Sequence, residues 1–189
     1  MHLIIYGPEG SGKGTQAKLI AEKLNLPVIT SGDLVREKAK ENNELGRICK
    51  SSLTQGKYVP DEIMFKLWEE KLSSSDILKG FILDGFPRSI NQTKFLIDAL
   101  NKLNLKIDKF IYLKLSDDQA RKRLLKRKRK IFEGSNISHD TPQRIRERLK
   151  IYRKKETPIV DFFKKNNLLM EIDAGKSVNL VSKSIIEKI

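Results

Sequence analysis

The chain has 189 residues, a formal net charge of +14 at neutral pH and a hydrophobic fraction of 39%, with a mean hydropathy of −0.45. That length supports one substantial core with small insertions and leaves little room for a second full domain. No apolar run reaches the ~20 residues that span a bilayer, and the single cysteine, Cys49, excludes an internal disulfide and a cysteine-built zinc site.

The first predicted strand is 3–6. Residues 1–7 carry no basic region, long apolar core or cleavage site, so no secretory signal is expected. With one cysteine, a reducing, cytoplasmic location is the expectation. Directly after the strand comes Gly7-Pro8-Glu9-Gly10-Ser11-Gly12-Lys13-Gly14-Thr15-Gln16. Gly7, Gly12 and Lys13 have phosphate-loop spacing: two glycines five apart, then lysine. Glycines let the backbone turn so that several N–H groups face one anion, and the next helix adds the positive end of its dipole. Lys13 is the mobile charge for the β and γ phosphates. Position 14 is Gly, and the hydroxyl arrives one residue later at Thr15. Ala17, Leu19, Ile20 and Leu24 continue as an amphipathic helix.

Further strands are predicted at 28–29, 81–83, 110–115 and 168–172. They show little polar alternation, as buried parallel strands do. Helices are predicted at about 13–24, 33–41, 61–72, 90–103, 117–129, 141–165 and 177–188. Asp61 after Pro60, Ser116, Thr141 before Pro142, and Ser177 suit helix starts. The alternation predicts an α/β fold: a five-stranded parallel sheet flanked by helices, with ligands at the carboxyl ends of the strands. Two regions break the repeat. Residues 31–60 interpose helical material, and 130–140 form a polar, turn-rich connection; both are candidate moving parts over a phosphate site.

The strand Phe81-Ile82-Leu83-Asp84 ends in a carboxylate, which in phosphate-loop proteins organises Mg²⁺, often through water. Gly85-Phe86-Pro87-Arg88 follows. Gly85 permits close backbone approach, Pro87 stiffens the turn, and Arg88 offers a planar fork for phosphate. Gln92, four residues on, carries an amide that both donates and accepts, which suits a purine edge. Ser31-Gly32-Asp33-Leu34-Val35-Arg36 adds a hydroxyl and an arginine, and Gly56-Lys57-Tyr58-Val59-Pro60-Asp61 adds a glycine turn. Basic residues crowd 121–130 and 144–148. They fit either polyanionic small substrates or nucleic acid, but neither run contains the aromatics that a dedicated nucleic-acid surface interleaves.

These pieces, with Arg123 and Arg127, Asp140-Thr141-Pro142 through Arg148-Leu149, and Asp173-Ala174-Gly175-Lys176, resemble the nucleoside monophosphate kinases, and most closely the adenylate kinase family. The likeness runs over nearly the whole chain in family order. It implies a CORE at 1–29, 60–125 and 139–189, a monophosphate-binding insertion at 30–59, and a short LID at 126–138 without zinc. It also implies reversible transfer from MgATP to AMP, giving two ADP, with Mg²⁺ as the cofactor. Under it, Gly10, Ser11, Gly12, Lys13, Gly14 and Thr15 wrap the ATP phosphates, with Arg123, Arg127 and Lys176 also on ATP. Ser31, Arg36, Lys57, Val59, Gly85, Arg88, Gln92 and Arg148 form the AMP site. Lys13, Asp84, Arg88, Arg123, Arg127 and Arg148 carry the chemistry. Ser31 stands where adenylate kinases more often have threonine; the related UMP/CMP kinases tend to carry alanine there and asparagine in place of Gln92.

Two positions depart from the family pattern. Ile137 stands where a phosphate-contacting arginine is usual, and His139 replaces an aspartate. Arg144, four residues before Arg148 on one helical face, is the expected substitute cation, with Arg129 or Lys130 next. The alternatives are a UMP/CMP-type kinase, a phosphate-loop nucleic-acid-binding ATPase, and a weakly active nucleotide-binding protein. A monomer is expected, with no membrane and no specific nucleic-acid partner.

Overall fold

The computed structural model describes residues 1–55, 57–74, 77–127, 138 and 140–189. Among them the order is β1 (His2–Tyr6), α1 (Lys13–Leu24), β2 (Val28–Thr30), α2 (Ser31–Lys38), α3 (Glu44–Gln55), α4 (Asp61–Leu72) and β3 (Phe81–Asp84). Then follow α5 (Ile90–Lys102), β4 (Lys109–Lys114), α6 (Asp117–Arg127), α7 (Pro142–Lys165), β5 (Leu169–Asp173) and α8 (Val178–Ile186). The strands form one parallel sheet in the order β2-β3-β1-β4-β5. Each expected strand is present.

All five residues of β1 are buried, which explains its unbroken apolar run. Ile4 and Tyr6 face one core with Phe81, Leu83, Phe110 and Tyr112. Leu3 and Ile5 face the other with Ile82, Ile111, Leu113 and Ile172. Helices α2 to α5 cover the first face, and α1, α6 and α8 the second, while the two halves of α7 reach both. On the first face Trp68 stacks on Phe86 at 4.6 Å and Phe110 on Phe163 at 4.0 Å. Such pairs add about 0.5–1.5 kcal/mol each beyond area burial.

Local caps start the helices. Thr30 accepts from the Asp33 amide at 3.0 Å, Ser89 from Gln92 at 3.1 Å and Ser116 from Gln119 at 3.3 Å. Thr141 accepts from Arg144 at 3.4 Å, with Pro142 in the first turn. Pro60, rather than Asp61, is the cap of α4. Ser177 precedes α8 without a side-chain cap bond. Because Thr30 is the cap, α2 begins at Ser31 and ends at Lys38, earlier than the expected 33–41. Helix α3 lies in the 31–60 stretch expected to carry helical material, where no bounds for it were predicted. Gly46 lets it lie close on the end of α2: a Cβ there would stand 2.8 Å from the Lys38 carbonyl oxygen.

Helix α7 is pinned to the sheet by Glu156. Its carboxylate accepts from Tyr112 of β4, from Tyr152 at 2.6 Å and from Arg153 at 2.9 and 2.8 Å. Strands lie on both sides of β1, so the chain's winding reverses at its carboxyl end. That reversal opens a crevice. The glycine loop leaves β1 there, beside the end of β3.

Candidate active site

The loop from Gly7 to Gly12 turns sharply because its glycines occupy the left-handed region. Gly10 has φ +87° and Gly12 φ +90°. At Gly7 a Cβ would stand 2.7 Å from the Leu113 carbonyl oxygen, and at Gly10 it would stand 2.9 Å from that of Ala120. The loop is therefore seated against β4 and α6. Lys13 opens α1 and folds its ammonium back onto the loop, donating to the Gly7 carbonyl at 2.7 Å and the Pro8 carbonyl at 3.0 Å. Desolvation pulls its pKa below the usual lysine value, against the attraction of Asp84 and Glu9. The Asp84 carboxyl is raised by desolvation, opposed by Lys13 and Arg88. Position 14 accommodates this carboxylate: a Cβ on Gly14 would stand 3.5 Å from Asp84 Oδ2.

The turn after β3 gathers a second set of groups. The Gly85 carbonyl accepts from Ser31 Oγ at 2.8 Å and from Arg88 Nε at 2.7 Å. Gly85 has φ +82°, and a Cβ there would meet Arg88 Nη2 at 2.9 Å. The Arg88 guanidinium lies over the Tyr58 ring, 4.8 Å from its centre, a cation–π contact. Gln92 is buried and committed at both ends. Its oxygen accepts from the Arg88 amide at 2.7 Å, and its nitrogen donates to Asp61 Oδ1 at 2.6 Å. Asp61 Oδ2 accepts from Ser89 Oγ at 3.0 Å. The amide expected to face a purine thus also ties α4 to the Arg88 turn.

A third cluster joins α6, α7 and the loop. Asp140 has a fully buried side chain. It accepts from Arg127 Nε at 2.9 Å and Nη2 at 3.0 Å, and from Arg148 Nη2 at 2.9 Å. Arg148 also pairs with Glu9 through Nη1, and Arg127 Nη2 lies 3.8 Å from the same carboxylate. Arg148 Nε donates to the Arg144 carbonyl at 3.3 Å. Arg123 bridges the Gly10 and Gly175 carbonyls at 3.3 and 3.4 Å, which places the turn bearing Lys176 beside the loop.

Lys13, Asp84 and Arg88 are thus held together at the ends of β1 and β3, with Arg123, Arg127 and Arg148 closing the other side. Ser31 and Gly85 join them through one hydrogen bond. Arg36 is turned to Asp33, at 2.6 Å. Lys57 is exposed and Val59 buried. Arg144 donates to the Ser138 carbonyl at 3.5 Å. Gly56, Arg129, Lys130, Ile137 and His139 lie outside the described residues. Sequence reasoning gave no role to Glu9 or Tyr58 and read Asp61 only as a helix start. Their neighbours in the motifs were the available signal. Among the described residues no cluster of three or more His, Cys, Asp or Glu could hold a metal by itself, and no helix is long and apolar enough to cross a membrane.

The family model described as adenylate kinase matches residues 5–168. The chain is 34% identical over 216 residues to an adenylate kinase of Archaeoglobus fulgidus, covering 100% of this chain and 99% of that one. It is 37% identical over 187 residues to one of Leptospira biflexa, covering 99% and 98%, and 38% identical over 183 residues to adenylate kinase 1 of a Nostoc species, covering 97% and 95%. A family model over residues 5–168 and relatives of 34–38% identity covered along nearly their full length establish that this chain belongs to the adenylate kinase family of phosphotransferases.

Proposed function

We propose that the chain catalyses MgATP + AMP ⇌ 2 ADP by direct in-line transfer. The observation that carries this reading is that two separate cationic side chains stand at the ends of neighbouring strands, Lys13 after β1 and Arg88 after β3. One would hold a donor and the other an acceptor. A nucleic-acid-dependent ATPase has no need of the second.

The acceptor phosphate is already an anionic nucleophile, so no general base is required. The protein's tasks are positioning and charge neutralisation. Residues Gly10 to Thr15 wrap the donor phosphates, and Lys13, Arg123 and Arg127 neutralise them, with Lys176 near the base. Arg88 orients the acceptor phosphate, and Arg148, shared by both substrates, reaches the transferring phosphoryl group. Ser31, Arg36, Lys57, Val59, Gly85 and Gln92 frame the rest of AMP. Tyr58 keeps the Arg88 fork in its plane. Mg²⁺ would arrive as part of the triphosphate substrate and would supply neutralisation of phosphate charge. Asp84 would hold the ion's water shell: its carboxylate ends β3 beside Lys13 and faces Gly14, which has no side chain.

Residues 30–59 form the acceptor-binding insertion, which closes on a CORE of 1–29, 60–125 and 139–189; the LID expected at 126–138 falls mostly outside the described residues. Closure excludes water and suppresses hydrolysis of the donor. We read the enzyme as a cytoplasmic monomer. MgADP supplied alone tests the reaction: the expected products are ATP and AMP in equal amounts. AMP with inorganic phosphate, or no turnover, contradicts the proposal.

A further inference from the structure

Between Pro8 and Gly10 the anion-binding loop carries a carboxylate, Glu9, its one charged residue besides Lys13. A negative charge opposes the purpose of such a loop. Yet Glu9 is paired with Arg148 and lies 3.8 Å from Arg127, the two guanidiniums that also grip Asp140. The two carboxylates differ in how firmly they are held. Asp140 is fully buried and accepts three N–H bonds. Glu9 is 30% exposed, so its side chain has solvent into which it can swing. A carboxylate and a phosphate present alike oxygens to an arginine fork.

We propose that Glu9 is an exchangeable counter-anion. In the substrate-free chain its carboxylate takes the Arg148 and Arg127 donors that a nucleotide polyphosphate takes on binding, and this competition sets the affinity for the donor. The proposal rests on the reading of these arginines as phosphate contacts. Asp140 is the fixed partner that keeps both forks in place throughout the exchange. A state occupied by Glu9 lowers apparent affinity by the fraction of molecules in which the seat is open. Glu9→Gln keeps the shape and removes the charge. If the seat is held in roughly three to ten molecules for each open one, the variant binds tighter by about the same factor.

Titration calorimetry with inorganic tripolyphosphate isolates the polyphosphate seat from the base. It is applied to the full chain, E9Q, R148A and the double variant, with R148K replacing R148A if melting shows that R148A is unfolded. The expected result is a three- to tenfold tighter dissociation constant in E9Q that collapses toward no change when Arg148 is also replaced. Equal or weaker binding in E9Q, alongside weakened binding in R148A, overturns the exchange while leaving the arginine reading intact. An equal gain in both backgrounds makes Glu9 a mere repulsive charge and also overturns it. Unchanged binding in R148A removes the arginine reading, and the exchange with it.

Discussion

Replacing Asp140 by asparagine separates the electrostatic work of this residue from its packing. Its side chain is fully buried, while Arg148 is 10% exposed and Arg127 39%. Removing one partner of a buried pair costs about 3–5 kcal/mol. The half-exposed Arg127 is screened, so the lower end applies. Asparagine keeps one acceptor oxygen but turns an N–H₂ toward a guanidinium donor. A loss of about 3 kcal/mol is therefore expected. For a domain of this size each kcal/mol moves the melting temperature by about 2–4 °C, which predicts a fall of roughly 6–12 °C. The assay is thermal unfolding followed by circular dichroism, with urea unfolding for the free energy. Turnover falls as well, because Asp140 aims both Arg127 and Arg148. A melting temperature within a degree or two of the parent would refute the assigned role of the cluster.

Other consequences are equally specific. Lys13→Gln should lower kcat by roughly 10²–10³-fold, the scale for losing one charge-stabilising donor, with folding preserved; stopped-time nucleotide chromatography reads it, and a small change excludes Lys13 from the chemistry. Asp84 has a raised carboxyl, so ionisation costs more in the folded chain than in the unfolded one. The resulting penalty is absent at low pH and grows as pH rises from the unfolded value near 4 through the raised folded value. Asp84→Asn should accordingly gain melting temperature relative to the parent as pH rises toward neutrality, while losing activity; a pH-independent difference contradicts this. Gln92→Ala cuts the link between Asp61 and the Arg88 amide and should raise the KM for AMP more than that for ATP. Equal changes in both constants argue against that placement. Gly10→Ala should destabilise the loop by about 1–3 kcal/mol, measured by urea unfolding, since its Cβ would meet the Ala120 carbonyl in a left-handed turn.

Local signals were the legible ones. The strands stood out because a parallel sheet covered on both faces needs continuous apolar runs, and His2–Tyr6 is buried throughout. The tight loop after β1 was legible through its glycine spacing, which the left-handed Gly10 and Gly12 explain. Helix α3 was hidden because Leu45, Ile48, Cys49 and Leu53 are diluted by Gly46 and polar residues; its stability comes from packing on α2, which no local pattern records. The site's residues were visible singly, but their pairing was not. Arg148 meets Glu9 across 139 positions, and Gln92 meets Asp61 across 31. Only the folded chain brings such partners together, which is why Gln92 read as a purine contact before it read as a brace.

The central claim is acceptor-specific phosphoryl transfer. Its most direct test is the initial rate of transfer from MgATP to AMP, CMP, UMP and GMP, scored by nucleotide chromatography. A large preference for AMP is the predicted result. Preference for a pyrimidine monophosphate, or no transfer to any acceptor despite ATP binding, would contradict it.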